Sequence, residues 1–372
     1  MGEDLKKVLV ISGVNFFEGG PLSLMKDCLR FLDSSIFSDE YRVIALVHKV
    51  DLYSALRLQR IELIEFPFAR NNYILRLWLE FFYFRRFAVR QNVHFWLSMH
   101  DITPNVGDVS QAVYCHNPAP FYETSWKDVR LDFKFFLFAK FYKLLYRTNI
   151  TRNKSVIVQQ SWLRDEFVRR FGVSNSKIIV AHPEIAGLNK LSHDASSSDA
   201  IVFFFPTLPR VFKNVEVLAE ACKLIAPGNR KPFRVIVTIK GDENKYARYL
   251  FKKYSSIKEI NFIGKLSREE VFNVYKTASC LVFPSKLETW GLPLTEFKAT
   301  GKVILAADLP YSHETIGDYR AAAFFKPTDS RELSRLMSAV INKDNTFPGS
   351  IFEEPQPPYA SGWKTLFNKL LN

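Results

Sequence analysis

One stretch of the chain, SCLVFPSKLETWGLPLTEFKATGKVILAAD from Ser279 to Asp308, combines acidic, glycine and apolar residues in a pattern that could bind a ligand. Its first apolar residues predict a strand that ends near Ser285, and a helix is predicted from near Pro293 to Gly301. The loop between them therefore lies at the carboxyl end of a strand, where open α/β sheets bind ligands.

Two carboxylates flank the start of this helix, Glu288 and Glu296, with seven residues between them. A carboxylate can accept two hydrogen bonds from the vicinal hydroxyls of a ribose or hexose, so one glutamate would hold a sugar and the other a ribose. The alternative is that Glu296 is only a favourable first-turn charge and Glu288 a solvated loop residue. Three backbone amides at the positive end of the helix suit a phosphate oxygen, those of Trp290, Gly291 and Leu292.

The motif FPS-x-x-E-T-W-G-L-P-L-x-E-x-x-A-x-G in this stretch resembles the signature of retaining family 4 glycosyltransferases, which have the GT-B fold. The resemblance implies an α/β protein with two Rossmann-like domains facing a central cleft. It also implies that Glu288 meets the transferred sugar, that Glu296 holds the nucleotide ribose, and that the amides from Thr289 to Leu292 bind phosphate. The chain departs from the family where Phe or small residues are usual, at Trp290, Lys298 and Thr300.

A second motif, LPRVFKN, is basic and follows the first predicted strand of the C-terminal half. It resembles the family's loop whose Arg and Lys clamp the diphosphate, which implies that role for Arg210 and Lys213. Two fixed cations are what a leaving diphosphate needs. A solvated basic turn is the alternative, and the glycine that often precedes this loop is replaced by residues 205–207, Phe-Pro-Thr. Further along, INFIGKLSREEVFNVY resembles the segment near the nucleobase, which implies a contact at Leu266.

The N-terminal half matches the family less closely, in NFFEGGPLSLMKDCL and VYCHNPAPF. Gly19 and Gly20 open a predicted helix and resemble the family's glycine-rich loop in the acceptor domain, although a simple tight turn is the alternative. His116, at a predicted strand end, could hydrogen-bond a sugar hydroxyl or could be a satisfied structural residue. His100, in SMHD, is a similar but weaker candidate.

Short apolar strands alternate with amphipathic stretches along the whole chain, a pattern typical of βαβ units and parallel sheets. A small polar segment without periodicity, residues 191–199, interrupts the pattern before it restarts. We therefore expect an acceptor-binding Rossmann-like domain over residues 1–190, a linker over 191–199 and a nucleotide-sugar-binding Rossmann-like domain over 200–355. Residues 356–372 are predicted to form a helix that packs back toward the first domain.

The composition excludes several classes of protein. With 47% hydrophobic and 24% charged residues, the 372-residue chain fits neither wholesale disorder nor a fibrous repeat. The four cysteines show no C-x-x-C spacing, which argues against a zinc site or a disulfide framework and favours a reducing compartment. The apolar run near the N-terminus lacks the length and flanks of a signal peptide or membrane span, so a cytoplasmic location is expected.

The net charge of +13 indicates an anionic partner. Between residues 121 and 154 there are eight basic residues against three acidic ones, and the segments 73–87 and 133–147 are rich in aromatic residues as well. Both segments resemble basic amphipathic helices that lie on an anionic membrane surface, here the inner face of the membrane. The alternative is that they are ordinary core helices with solvated edges. Nucleic acid is not an expected partner, since no recognised nucleic-acid motif is present.

Together, the family resemblance implies a retaining hexosyltransferase that uses a UDP-sugar or GDP-sugar, needs no metal or other cofactor, and acts by front-face transfer. The expected acceptor is a glycan or lipid-linked oligosaccharide in bacterial cell-surface polysaccharide or lipopolysaccharide assembly. One alternative is a sugar-nucleotide epimerase of the same fold, which would consume no acceptor. Another is a non-catalytic membrane-peripheral protein, which loss of Glu288, Glu296 or Lys213 would have favoured.

Overall fold

The computed structural model describes residues 6–35, 37–183, 201–225, 231–344, 346–347, 349–350 and 352–372. The linker expected at residues 191–199 lies outside the described residues. The chain divides into two compact units, of which unit 1 comprises Met1–Pro120, Lys140–Ala186 and Pro355–Asn372, and unit 2 comprises Phe121–Ala139 and Gly187–Glu354.

This division differs from the expected domain ranges in the segment 121–139, which groups with unit 2 instead of the N-terminal domain. The reason is an aromatic cluster within unit 2, in which Tyr122 and Phe135 pack on Phe212 with ring centroids 6.1 and 5.2 Å away. Sequence periodicity marks Phe135 as apolar but does not show which domain supplies its partner.

The described residues form fourteen β-strands: β1 (Lys7–Gly13), β2 (Tyr41–Val47), β3 (Ile61–Glu65), β4 (Val93–Ser98), β5 (Ser110–Cys115), β6 (Ser155–Val158), β7 (Ile178–His182), β8 (Ile201–Phe205), β9 (Phe233–Val237), β10 (Ile260–Phe262), β11 (Cys280–Phe283), β12 (Val303–Ala307), β13 (Ala322–Phe325) and β14 (Tyr359–Ser361). They also form fourteen α-helices: α1 (Gly19–Ser34), α2 (Phe37–Glu40), α3 (Tyr73–Trp78), α4 (Phe84–Arg90), α5 (Trp126–Leu131), α6 (Phe133–Arg147), α7 (Ser161–Phe171), α8 (Val215–Ile225), α9 (Lys245–Tyr254), α10 (Arg268–Thr277), α11 (Leu292–Lys298), α12 (Pro310–Ile316), α13 (Ser330–Asn342) and α14 (Gly362–Leu371).

Unit 1 contains an eight-stranded sheet in the order β14-β7-β6-β5-β4-β1-β2-β3, and its described strand pairs are parallel. Strands such as KVLVISG are nearly continuous apolar runs because helices cover both faces of a parallel sheet. One face packs against α1 and α14, through Leu29 and Phe367, and the other against α4 and the π-helix Leu79–Tyr83, through Phe84 and Leu79.

Unit 2 contains a six-stranded parallel sheet in the order β10-β9-β8-β11-β12-β13. From β8 the chain adds β9 and β10 on one side, then crosses over to β11 on the other side of β8 and continues outward with β12 and β13. The strand order therefore reverses between β8 and β11, and open α/β sheets bind ligands outside the carboxyl ends of the strands at this kind of switch point. The expected α/β architecture of two Rossmann-like domains is confirmed.

Candidate active site

The switch point of unit 2 brings two predicted site residues together. Lys213 ends a 3₁₀ turn in the loop after β8, Glu288 lies in the loop after β11, and the ammonium of Lys213 is 2.5 Å from the carboxylate oxygen Oε1 of Glu288. Both side chains are largely enclosed, with 17% and 15% of their surfaces exposed. The Lys213 ammonium also lies 5.5 Å from the centre of the Phe212 ring and 5.7 Å from that of Phe283.

Hydrogen bonds to backbone carbonyls fix the two loops against each other. Asn214 has a left-handed backbone with φ of 57°, and its side-chain amide donates to the carbonyls of Pro284, at 3.1 Å, and Pro327, at 2.8 Å. The backbone amide of Lys286 donates to the carbonyl of Phe212 at 2.7 Å. The Lys213–Glu288 pair is therefore held by the loops on both sides of the switch point.

Arg210, the second predicted cation, faces a different carboxylate. Its guanidinium is 3.4 Å from Asp132 Oδ2, a residue of the segment 121–139 in unit 2, and about half of its side chain is exposed. Lys213 is thus already paired with a candidate catalytic carboxylate, whereas Arg210 retains much of its freedom to meet an incoming anion.

The chain turns at Gly291 before α11, and the helix predicted from near Pro293 begins one residue earlier. Gly291 has a φ of 82°, and a Cβ there would lie 3.2 Å from Leu294 and 3.4 Å from Phe283. Pro occupies the first turn, and the helix begins at Leu292. Trp290 is buried, its indole donates to Thr295 at 2.9 Å, and its carbonyl accepts from the Thr315 hydroxyl. The Trp290 ring therefore packs inside unit 2, and only its backbone amide remains a candidate phosphate donor, along with those of Thr289, Gly291 and Leu292.

Glu296 is almost fully buried on α11. It accepts a hydrogen bond from the Tyr275 hydroxyl at 3.1 Å, and the exposed guanidinium of Arg268 lies 3.5 Å from it. Burial raises the pKa of Glu296, while Arg268 and Tyr275 act in the opposite direction. Leu266 is half-buried two residues before Arg268, in the loop after β10. Glu296, Tyr275 and Arg268 form a polar cluster on α10 and α11, and sequence reasoning missed Tyr275 and Arg268.

In unit 1, the candidate residues Gly19 and His116 follow β1 and β5. Gly19 opens α1 with a φ of 70° and has no atom within 4 Å of an added Cβ, so this turn is open on one side. His116 packs edge-on against Phe16 at 5.4 Å between ring centres, and its Nδ1 lies 3.6 Å from Asp101 Oδ1. Phe16 lies in the loop between β1 and α1, so His116 contacts the loop that leads into the helix opened by Gly19 and Gly20.

Sequence reasoning missed Asp101. This residue adopts a φ of 73° and its Oδ1 accepts hydrogen bonds from the backbone amides of His116, at 2.7 Å, and Asn117, at 3.1 Å, and from the Tyr146 hydroxyl, at 2.9 Å. In the sequence SMHD, Asp101 directly follows His100 just after the end of β4, and this position could have marked it as a candidate. Asp101 therefore fixes the loop that carries His116.

His100 is fully buried, so it is a structural residue and not an accessible ligand. Its Nε2 lies 3.0 Å from Ser12 Oγ and 3.3 Å from Glu80 Oε1, and Arg76 donates to its Nδ1 at 3.3 Å. Since Arg76 can only donate, the ring proton belongs on Nε2. Burial raises the pKa of Glu80 to about 8, against the effect of Arg76, and lowers the pKa of His100 well below its usual value. Sequence reasoning missed this buried cluster as well.

Comparison with known proteins identifies one domain. Residues 189–347 match the family model described as glycosyl transferases group 1. These residues therefore form a glycosyl transferases group 1 domain, and the expected resemblance is confirmed at this level. The match contains the loops of Lys213 and Glu288.

Two curated relatives and one solved structure show where the similarity extends. The serotype-specific mannosyltransferase WbdA of Escherichia coli is 26% identical over 135 residues, which are 36% of this chain and 16% of WbdA. The O-antigen chain mannosyltransferase RfbU of Salmonella typhimurium is 21% identical over 222 residues, 60% of this chain and 58% of RfbU. The aligned part thus spans less than two thirds of either relative. Anabaena HepE, solved in complex with UDP-glucose, superposes with a TM-score of 0.64 at 13% identity over 91% of both chains, which shows a common fold.

Proposed function

We propose that this protein is a retaining glycosyltransferase that moves a hexose from a UDP-sugar or GDP-sugar to a glycan or lipid-linked oligosaccharide during assembly of a bacterial cell-surface polysaccharide. The observation that carries the proposal is the Lys213–Glu288 pair at the switch point, next to the glycine loop of α11. The two relatives named as mannosyltransferases, one of them acting on an O-antigen chain, support the hexose and the polysaccharide. HepE supports a nucleotide-sugar donor.

The reaction would exchange two bonds at one face of the sugar. The bond between the anomeric carbon and the diphosphate oxygen breaks, a bond to the acceptor hydroxyl forms on the same face, and the acceptor proton moves to the departing diphosphate. Lys213, Arg210 and the amides of residues 289–292 would stabilise the charge on that leaving group, since fixed donors in an enclosed site need no rearrangement as charge develops. Glu288 would orient the sugar hydroxyls and Glu296 the ribose. This scheme requires no metal ion.

In unit 1, Gly19, Gly20 and His116 are proposed to contact the acceptor. Gly19 leaves its backbone open to a ligand. Asp101 holds the loop of His116, whose side chain retains some exposure. A ring held in this way can offer one nitrogen to a hydroxyl group.

A thermal-shift screen of UDP, GDP and their sugar conjugates tests the donor site, because a ligand that binds only the folded protein raises its melting temperature. The nucleotide that binds then selects the donor for a transfer assay, with the anomeric configuration of the product determined by NMR and with EDTA as the metal control. An inverted product, or release of an epimerised sugar without any acceptor, would contradict the proposal.

We also propose that the protein associates peripherally with an anionic membrane surface, because two helical segments expose apolar side chains among cations. Ile74, Phe82 and Val89 are 82%, 61% and 74% exposed. They accompany exposed arginines on the same segment: Arg85, Arg86 and Arg90. The core face of the segment is formed by Leu79, Phe84 and Phe87, as the alternative of a core helix with a solvated edge also expects, so the exposed apolar residues are what supports the membrane proposal.

Helix α6 repeats this arrangement. Its exposed apolar residues include Leu137 and Leu144, and its exposed cations are Lys134, Lys140, Lys143 and Arg147. Among the described residues, none of the helices is long and apolar enough to span a bilayer. Cations near an anionic bilayer contribute about 1 kcal/mol each, and inserted apolar side chains add burial.

Changing Lys140, Lys143 and Arg147 together to glutamate should abolish binding to phosphatidylglycerol vesicles at low salt and leave nucleotide binding intact. A matched control changes three lysines on the opposite side of the sheet: Lys26, Lys49 and Lys364. Wild-type protein that ignores such vesicles, or a control variant that loses binding to the same extent, would contradict the membrane proposal.

A further inference from the structure

A cavity of about 650 Å³ in unit 1 lies at the amino ends of β5 and β6, the edge of the sheet opposite to His116. Its lining includes four cations, Arg85, Arg152, Lys154 and Lys177, and one carboxylate, Asp108. His116 follows the last residue of β5 whereas the cavity reaches the first, and six residues of extended strand span about 20 Å. The cavity is therefore separate from the candidate active site.

The four cations carry an uncompensated charge. Within the described residues no carboxylate lies within salt-bridge distance of any of these cations. Their hydrogen bonds go to uncharged groups. Lys154 donates to the carbonyl of Leu370 at 3.1 Å, Lys177 to those of Thr151 and Asn153 at 3.4 Å, and Arg152 to the amide oxygen of Asn105 at 3.4 Å. Four cations against one carboxylate create a positive potential that favours an anion with several oxygen atoms, such as a phosphate ester.

The wall that carries these cations is fixed by buried hydrogen bonds. The side-chain amide of Asn153, which is 1% exposed, donates to Thr103 Oγ1 at 2.7 Å and to the carbonyl of Ile150 at 2.9 Å. The backbone amide of Lys154 donates to the carbonyl of Gln111 at 2.8 Å. Arg152 and Lys154 thus project from a backbone that is already ordered before a ligand arrives, which lowers the entropy cost of binding.

The side of the cavity at Arg85 continues into an apolar groove. A second cavity of about 580 Å³ shares Arg85 and Asn105 with the first and is lined by the exposed side chains of Phe82 and Val89. A free phosphate ion would use only the cationic part. A phosphate ester that carries acyl chains would use both, with its phosphate among the cations and its glycerol and upper chains against Phe82 and Val89.

We propose that this cavity binds the headgroup of an anionic phospholipid. The inference rests on the membrane association proposed above and does not depend on glycosyl transfer. The cations neutralise the headgroup phosphate, and the helix residues beside it enter the boundary between headgroups and acyl chains. A lipid matches both the cationic cavity and the apolar groove, whereas a soluble phosphate matches only the cavity.

The test compares two double variants, each of which replaces two cations by glutamine, so that both lose the same charge. Arg85→Gln/Lys177→Gln removes two of the four cations of the cavity, and Lys26→Gln/Lys49→Gln is the control, because α1 and the segment 50–56 pack on the opposite face of the sheet. In sedimentation with mixed phosphatidylglycerol and phosphatidylcholine vesicles, the cavity variant should bind about tenfold or more weakly and the control within about twofold of wild type. The deacylated headgroup, glycerophosphoglycerol, should raise the melting temperature of wild type and control but not of the cavity variant.

An equal loss in both variants, or no effect of glycerophosphoglycerol on wild type, would overturn the headgroup site while leaving general membrane attraction in place. Wild type that binds no vesicles would overturn the site together with the membrane association, and the UDP and GDP screen would then still test the glycosyltransferase proposal. If the double variant does not fold, Arg85→Gln alone, at an exposed residue of α4, should weaken vesicle binding about fivefold, and unchanged binding would again overturn the site.

Discussion

Replacing Glu288 by glutamine should change nucleotide binding and turnover in opposite directions. In the ligand-free protein the Glu288 carboxylate is 2.5 Å from the Lys213 ammonium and neutralises it. A diphosphate that binds Lys213 must therefore compete with the Glu288 carboxylate. The negative charges of the diphosphate and of the carboxylate also repel each other. The substitution Glu288→Gln keeps the shape of the side chain and removes the charge, so the bare nucleoside diphosphate should bind more tightly.

The size of the effect follows from the exposure of the pair. Fully exposed ion pairs contribute 0.2 to about 1 kcal/mol, whereas breaking a buried pair costs about 3–5 kcal/mol. With 17% and 15% of the two side chains exposed, an intermediate value of about 1–2 kcal/mol is appropriate. UDP or GDP, whichever the protein binds, should then bind about tenfold more tightly. Sugar transfer should fall about 10²-fold, since a group that orients the reacting sugar is lost.

Calorimetry on Glu288→Gln, Lys213→Gln and the double variant measures this coupling, and Glu353→Gln, an exposed carboxylate of unit 2, controls for net charge. The gain from Glu288→Gln should disappear when Lys213 is already absent. Weaker or unchanged nucleotide binding by Glu288→Gln would refute the assignment of Lys213 to the diphosphate. Normal transfer by the same variant would refute the role of Glu288.

Three further predictions concern single side chains. Arg210→Ala should lower transfer about 10²-fold with little change in urea stability, because Arg210 is about half exposed where it meets Asp132, at 3.4 Å; near-normal turnover would remove it from the diphosphate site. Glu296→Gln should weaken binding of the nucleoside diphosphate in calorimetry more than it lowers turnover at saturation, since its carboxylate is proposed to hold the ribose; the reverse pattern would mean that Glu288 and Glu296 have exchanged roles. Glu80 has a folded pKa of about 8 against a usual value of 4.5, so the unfolded chain loses a proton that the folded protein keeps. The free energy of unfolding should therefore fall as the pH rises from 6.5 to about 8, above the usual pKa of His100, whose lowered pKa gives a slope of opposite sign at lower pH. Glu80→Gln should remove this pH dependence of the free energy of unfolding, which is at most about 1.4 kcal/mol per pH unit, and urea titrations across the pH window measure it. An unchanged slope would assign the titration to another group.

The parts of the fold that follow from local pattern were predictable from sequence. Apolar runs separated by amphipathic stretches indicate parallel strands and covering helices, and both sheets confirm this. The motif around Gly291 also predicts the loop and the helix that begins near Pro293, and glycine adopts the positive φ found there without a steric penalty. These features depend on residues that are close in sequence.

The missed features depend on residues that are far apart in sequence. Periodicity identifies Leu144 as apolar but cannot tell that Tyr142 and Leu145 form the buried face of α6 and leave Leu144 exposed. The Glu80 and His100 pair joins a π-helix to the end of β4. A sequence pattern shows only that each residue could be charged, whereas burial depends on which elements pack around it.

Asn214 shows how one residue turns a local preference into the geometry of the site. Its φ of 57° lies in the left-handed region, which glycine and asparagine tolerate better than other residues. Glycine could adopt this backbone, but it has no amide to donate to the carbonyls of Pro284 and Pro327. Asparagine does both, so it ends the turn that carries Lys213 and ties that turn to the strand end that precedes Glu288. The 2.5 Å contact across the switch point therefore depends on a side chain that is not itself a candidate ligand.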